Sequence, residues 1–303
     1  HYLVTGGCGF IGSHLAEELL RRGNAVRILA NLSSGRLDNI AAFRTDVDFV
    51  EGDVRDEASV AAASEGVAGI FHMAALVSVF ESVERPRDNH DINITGTLNV
   101  LQAARRAGVR RVVFASSAAV YGDDPALPKR EDMPGVPESP YALAKQVGER
   151  YLALFARRYG VEGVSMRQFN VYGPRQDPSS MYSGVISRFT DAVARNAGVT
   201  IYGDGLQSRD FVHVSDVVAA NVLAMESDRV GAGECLNVAA GRATTLLDLL
   251  DTLEQLVGRE IPRRFEPTRA GDVQHSLADI SRAKELLRYE PRLGLQEGLS
   301  TLL

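Results

Sequence analysis

A chain of 303 residues, 45% hydrophobic and 24% charged, is large enough to bury a substantial core in one or two domains. A net charge of −6 argues against non-specific nucleic-acid binding, and no apolar run approaches the ~18 residues of a membrane span. Cys8 and Cys235 are the only cysteines and have no metal-like spacing, so the expectation is a reduced cytoplasmic protein without a metal site, a membrane anchor or a leader segment.

Tyr2–Thr5 reads as a short strand, followed by Gly6, Gly7, Gly9 and Gly12. From Phe10 the pattern turns helical, with Ile11, Leu15, Leu19 and Leu20 on one face. Strand, glycine turn and helix in that order set a pyrophosphate on a helix N-terminus. Gly6 and Gly7 permit the turn, Gly9 lets backbone approach phosphate, and Gly12 allows close packing. The second strand, Ala25–Leu29, ends at Ala30, where an acidic residue commonly grips the adenosine ribose. Asn31 offers a substitute polar group, with Ser33, Ser34 and Gly35 behind it. Arg36 lies near enough to suit a 2′-phosphate, but no basic residue directly follows the strand, so NAD is expected over NADP. Val47–Glu51 is a third strand; Asp53 beyond it either accepts the adenine amino group or caps the next helix. Gly69–Ala75 is an apolar run fit for a central strand, broken by His72, which reads as a core residue before a catalyst. Asn93 opens a helix rich in leucine and alanine, and Arg111–Ala115 is the next strand. The alternation predicts an α/β fold: a doubly wound parallel sheet with ligands at the carboxyl ends of its strands.

Ser165–Asn170 continues the strands, and a loop crowded with Pro, Gly and Ser then interrupts the rhythm. Residues 1–168, with 207–228 returning to them, are expected to form the dinucleotide-binding domain. Residues 169–206 and 229–303 are expected to form a smaller, discontinuous α/β cap. Arg209 and Arg269 suit bidentate phosphate contacts, and Tyr202 suits packing on a flat base, which suggests a bound nucleoside diphosphate.

Ser116 and Ser117 end the fifth strand, and about 25 residues later come Tyr141 and Lys145, four apart and on one helix face. A lysine ammonium beside a phenol is expected to lower its pKa, making Tyr141 a base near neutral pH, with Ser117 offering a hydroxyl to the same substrate oxygen. Only three of the 33 basic residues are lysines (Lys129, Lys145, Lys284), so Lys145 is hard to dismiss as a random surface residue.

These pieces resemble the extended short-chain dehydrogenase/reductase family, and within it the nucleotide-sugar 4-epimerases. The matching runs include TGGCGFIGSHL (5–15), NLSSG (31–35), SSAAVYG (116–122), YALAK (141–145), IYGDG (201–205) and GDVQHSLAD (271–279). The resemblance implies C4 epimerisation of a UDP-sugar through a transient 4-keto intermediate, on tightly bound NAD, in a homodimer. Tyr141, Lys145 and Ser117 would be catalytic. Gly6, Gly9, Phe10, Ile11, Gly12, Asn31, Ser33, Ser34, Gly35, Asp53, Val54, Met73, Ala74, Ala75, Asn93, Tyr141 and Lys145 would contact the cofactor. Ser117, Ala118, Tyr141, Asn170, Arg188, Tyr202, Arg209, Arg269, Asp272 and Ser276 would contact the substrate. Ala118 and Ala119 stand where related dehydratases resemble one another in having an Asp-Glu pair, so elimination of water is not expected. Ser276 replaces a tyrosine of hexose-restricted relatives and leaves room for a bulkier sugar. Arg188 stands where relatives are usually apolar. It either pairs with a hexuronate carboxylate, favouring UDP-glucuronic acid over UDP-glucose, or faces solvent. An NADP-linked nucleotide-sugar reductase is the alternative that Ala30 would fit better.

Overall fold

The computed structural model describes residues 1–177, 184–268 and 274–303. Six strands come first: β1 (Tyr2–Thr5), β2 (Val26–Ala30), β3 (Val47–Glu51), β4 (Gly69–His72), β5 (Arg111–Ser117) and β6 (Glu162–Gln168). Six more follow: β7 (Asn170–Tyr172), β8 (Val199–Tyr202), β9 (Ser208–His213), β10 (Ala232–Val238), β11 (Ala243–Thr245) and β12 (Arg263–Glu266). The helices are α1 (Phe10–Arg21), α2 (Glu57–Ser64), α3 (Val79–Glu84), α4 (Pro86–Asn89) and α5 (Gly96–Arg106), the last preceded by a π turn at His90–Thr95. They continue with α6 (Pro140–Tyr159), α7 (Val185–Ala194), α8 (Val214–Glu226), α9 (Leu246–Val257), α10 (Ser281–Leu287) and α11 (Leu295–Ser300).

The main sheet has seven strands in the order β10-β6-β5-β4-β1-β2-β3, every neighbouring pair parallel. One face is covered by α1 and α8, which bury Leu15, Leu19, Val217 and Val222 in the larger core. The other carries α2, α5 and α6, with Val60, Leu101, Leu152 and Phe155. Each buried leucine or phenylalanine is worth ~1.5–3 kcal/mol, so two cores of this size hold the sheet rigid. The strand order reverses on either side of β1, which opens a crevice at the carboxyl ends of β1 and β4.

A three-stranded sheet (β11-β9-β7) and the parallel pair β12-β8 form the smaller unit, around Tyr172, Phe189, Ile201, Leu249 and Leu253. One expected boundary differs from what is found. β10, beyond 229 and so expected in the cap, pairs with β6 in the main sheet, and α10 packs on that sheet through Ala283 and Leu287. β9 pairs with β7 and β11, while its Val212 and the helix α8 that follows it pack into the larger core. Neither β10 (AGECLNV) nor β9 (SRDFVH) alternates cleanly enough to show from sequence which sheet it joins.

Helix α6 carries the Tyr-Lys pair, and its start is fixed by several independent contacts. Ser139 caps it, its hydroxyl accepting from Ala142 N at 3.1 Å, and Pro140 occupies the first turn. The N–H of Tyr141, free at a helix start, donates to Ser82 Oγ at 3.1 Å. Gly148 sits where a Cβ would come within 2.6 Å of the buried Phe114 ring, so α6 lies closer to β5 than any larger residue would allow.

Candidate active site

The glycine turn fits a dinucleotide pyrophosphate. Gly6 has φ +69°, and a Cβ on Gly12 would lie 2.3 Å from the Gly6 carbonyl, so only glycine permits this closure. The N-cap of α1 is Gly9, with no side-chain cap and no acidic residue in the first turn, which leaves the amides there to an anion. The loop carrying Ser33, Ser34 and Gly35 docks on this turn: Arg36 N and Asn39 Nδ2 both donate to Cys8 O, at 3.0 and 2.9 Å.

Beyond β2, Asn31 Oδ1 accepts from Ser33 N and Oγ, while its Nδ2 donates to Asp53 Oδ2 at 2.8 Å. Asp53 does not cap α2; Asp56 does, accepting from Ala58 and Ser59 N at 3.2 Å each. Arg55 grips Asp53 through Nε and Nη2 at 2.9 and 2.7 Å and holds its carboxyl well below the usual carboxylate range. Arg36 pairs with Asp177 at 2.8 Å, so a 2′-phosphate would have to compete with a carboxylate for it.

Met73, Ala74 and Ala75 follow β4 into the crevice. Thr5 Oγ1 accepts from Ala74 N at 3.2 Å and donates to His72 Nδ1 at 2.7 Å. The other His72 nitrogen donates at 3.0 Å to Thr97 Oγ1, whose own proton goes to Asn93 O. His72 is therefore a core histidine that ties the loop to α5, and burial keeps it neutral, pushing its pKa down to about 3. Asn93, expected at the cofactor, is spent on the same loop: it accepts from Leu76 N and donates to Leu76 O, both at 2.9 Å.

The central pair is buried, Tyr141 with 8% and Lys145 with 3% of its surface exposed. Lys145 Nζ donates to Ala115 O at 2.7 Å, 4.8 Å from the Phe114 ring centre and 5.7 Å from that of Tyr141. Ser117 lies beside Tyr141 closely enough to act downward on its phenol's pKa, and its Oγ accepts from Ala119 N at 3.2 Å. The expected fall in the phenol's pKa is not found in the protein alone. Burial raises Tyr141, with Ser117 opposing, while Lys145 is itself pushed down to about 7 by burial.

A cavity of about 630 Å³ opens in the smaller unit, lined by Asn170, Arg188, Tyr202 and Arg209 among others. Asn170 in its wall follows two residues after Gln168, which is in register with Ser117 of β5. Arg209 Nη1 donates to Ser208 O at 2.9 Å. Ser276 is not among the lining residues; its N–H bonds Ser208 O. Ala118 is half-buried against the larger core and Val54 is buried in the other one. Arg269 and Asp272 lie outside the described residues.

Sequence reasoning passed over Glu149, one helical turn beyond Lys145. It accepts from Ser116 Oγ at 2.6 Å and from Arg167 Nε and Nη2 at 2.8 Å each, all out of solvent. The signal was present as a third residue at the four-residue spacing that joins Tyr141 to Lys145.

A doubly wound sheet, a glycine turn and a buried Tyr-Lys pair beside a serine define an extended short-chain dehydrogenase/reductase. The chain belongs to the NAD dependent epimerase/dehydratase family, whose sequence model matches residues 2–239. It is 41% identical to the UDP-glucose 4-epimerase of Mycolicibacterium smegmatis, over 98% of this chain and 96% of that one. Among solved structures it is similar to the UDP-glucose 4-epimerase of Thermotoga maritima with UDP-glucose (39% identity, TM-score 0.93, covering 99% and 96% of the two chains). It is also similar to the UDP-glucuronic acid 4-epimerase of Bacillus cereus with UDP-glucuronic acid and NAD (28% identity, TM-score 0.90, covering 99% and 96%).

Proposed function

We propose that this protein is an NAD-dependent UDP-sugar 4-epimerase, and the observation that carries the reading is Ser117 at the end of β5 with the buried pair Tyr141 and Lys145 on α6 held against that strand. Tyr141 takes the proton from the sugar's C4 hydroxyl, Ser117 holds that oxygen, and Lys145 fixes the tyrosine's surroundings. The glycine turn and the crevice would hold NAD, which would supply the hydride acceptor and donor. Asn170, Tyr202 and Arg209 hold the nucleotide, leaving the sugar to turn over between oxidation and reduction. Ala118 and Ala119 offer no acid or base for eliminating water, which favours epimerisation over dehydration.

The named relatives weigh toward UDP-glucose and UDP-galactose as the substrate pair. One observation favours a hexuronate instead: Arg188 lies in the cavity wall. A UDP-sugar panel, with products separated by anion-exchange chromatography, tests both readings. Tyr141→Phe should cost ~10²–10⁴-fold in turnover and leave nucleotide binding intact. If Arg188 meets a carboxylate, Arg188→Ala should raise KM for UDP-glucuronic acid ~10-fold or more over its effect on UDP-glucose; equal effects leave the uncharged hexose.

A further inference from the structure

Lys145 must stay protonated and in place to serve the phenol, yet it is buried where an ammonium is costly to hold. Its one hydrogen bond given in the structure goes to a neutral carbonyl, Ala115 O. We propose that Glu149, clamped by Arg167 and Ser116, is the positioning residue that keeps Lys145 charged and fixed against β5.

Three observations support it. Glu149 stands four residues after Lys145 on α6, so the two side chains share the face that packs on the sheet. Its carboxylate is immobilised: Oε1 takes the Ser116 hydroxyl and Arg167 Nε, and Oε2 takes Arg167 Nη2. Arg167 stacks on Tyr121, 4.8 Å from its ring centre, and the Tyr121 hydroxyl is anchored on Asn237 at 2.6 Å. The carboxylate is thus the end of the ion pair on Lys145's own helix face.

The titratable groups around Lys145 are Tyr141 on α6 and His72 on β4, both neutral, with Arg167 on β6 behind Glu149. Cys235 of β10 faces Glu149 and is kept a neutral thiol by burial. Glu149 is the carboxylate whose charge supports the Lys145 ammonium against burial; Glu81, Asp88 and Asp91 stand on other segments packed against α6. Burial lowers Lys145 toward neutrality and Glu149 opposes it, so the carboxylate decides how much ammonium remains at physiological pH.

The inference rests on Tyr141 and Lys145 being the hydride-transfer pair, but its test does not depend on activity. With only three lysines in the chain, ¹³Cε-lysine labelling gives three resolvable signals, and Lys145→Met assigns the one of interest. Glu149→Gln should lower the Lys145 titration by about one pH unit or more. The alkaline fall in kcat should move down by the same amount, ~10-fold in rate per unit on that limb. Glu149→Asp should restore part of both. Because Glu149→Gln strands a buried guanidinium, the pair-neutral Glu149→Gln/Arg167→Gln variant serves as the folding-safe arm and should shift the titration in the same direction by a smaller amount, since the Arg167 charge is removed as well. Loss of melting temperature with the Lys145 titration and the alkaline limb both unmoved would reduce Glu149 to a structural residue and overturn the proposal. A shifted lysine titration in a protein that epimerises nothing would sustain it while refuting the proposed function.

Discussion

His72 shows how a residue near a site is settled by its proton inventory. Each ring nitrogen meets one hydroxyl, at 2.7 and 3.0 Å, and those hydroxyls in turn satisfy Ala74 N and Asn93 O. Thr97 spends its own proton on Asn93 O, which places the ring proton on Nε2, and burial keeps the ring from taking a second. The folded pKa, about 3, is below the unfolded value near 6.5. The folded state therefore binds fewer protons between those values, and the stabilisation is complete above pH ~6.5 and lost as pH falls toward 3. Urea unfolding at pH 7.5 and 5 should show a loss of ~2 kcal/mol from this group that disappears in His72→Asn. Identical pH slopes in the two proteins would contradict it. The sequence made His72 legible as a core residue, since an apolar strand surrounds it. It did not make Asn93 legible, because an asparagine at a helix start serves a ligand or a loop equally well.

At the scale of elements, α6 matters most, because its approach to β5 places Lys145. Phe114 fills the space opposite Gly148, and the Lys145 ammonium lies 4.8 Å from the same ring. Gly148→Ala must displace a ring that is only 1% exposed, costing ~1–3 kcal/mol of stability and lowering kcat more than it raises KM. An unchanged kcat with reduced stability would show that the helix can retreat without disturbing the pair. The Tyr-x-x-x-Lys spacing was readable from the sequence as a shared helix face. The glycine and the glutamate that follow it were not, because their roles depend on Phe114 and Arg167, which lie on other strands.

At the scale of the whole molecule, the chain crosses between its two units more than once. β10 returns to the main sheet after β8 and β9 have built the cap, and the segment before α10 is tied back to β9 by a buried carboxylate. Asp210 accepts from Ala240, Gly241 and Ala278 N at 2.9, 3.1 and 3.1 Å, and so links the two units where the cavity meets the sheet. The doubly wound half could be read from alternating strands and helices and the glycine turn. The cap could not be divided correctly, because short strands with mixed polar faces do not declare their partners until the fold joins them. Arg111 illustrates the same dependence: the Glu162 carboxylate and the carbonyls of Ala224, Met225, Ser227 and Val230 hold this buried guanidinium, and only the fold brings them to the end of α8.

The central claim is that hydrogen leaves C4 as hydride, stays in the site and returns to the opposite face. Incubation of the purified enzyme with UDP-glucose carrying deuterium at C4, in ordinary water, tests it most directly. The expected product is UDP-galactose that keeps the deuterium at C4, with no net accumulation of reduced cofactor at 340 nm and no conversion by Tyr141→Phe. Loss of the label to solvent, or stoichiometric build-up of reduced cofactor with a 4-keto product, would contradict it.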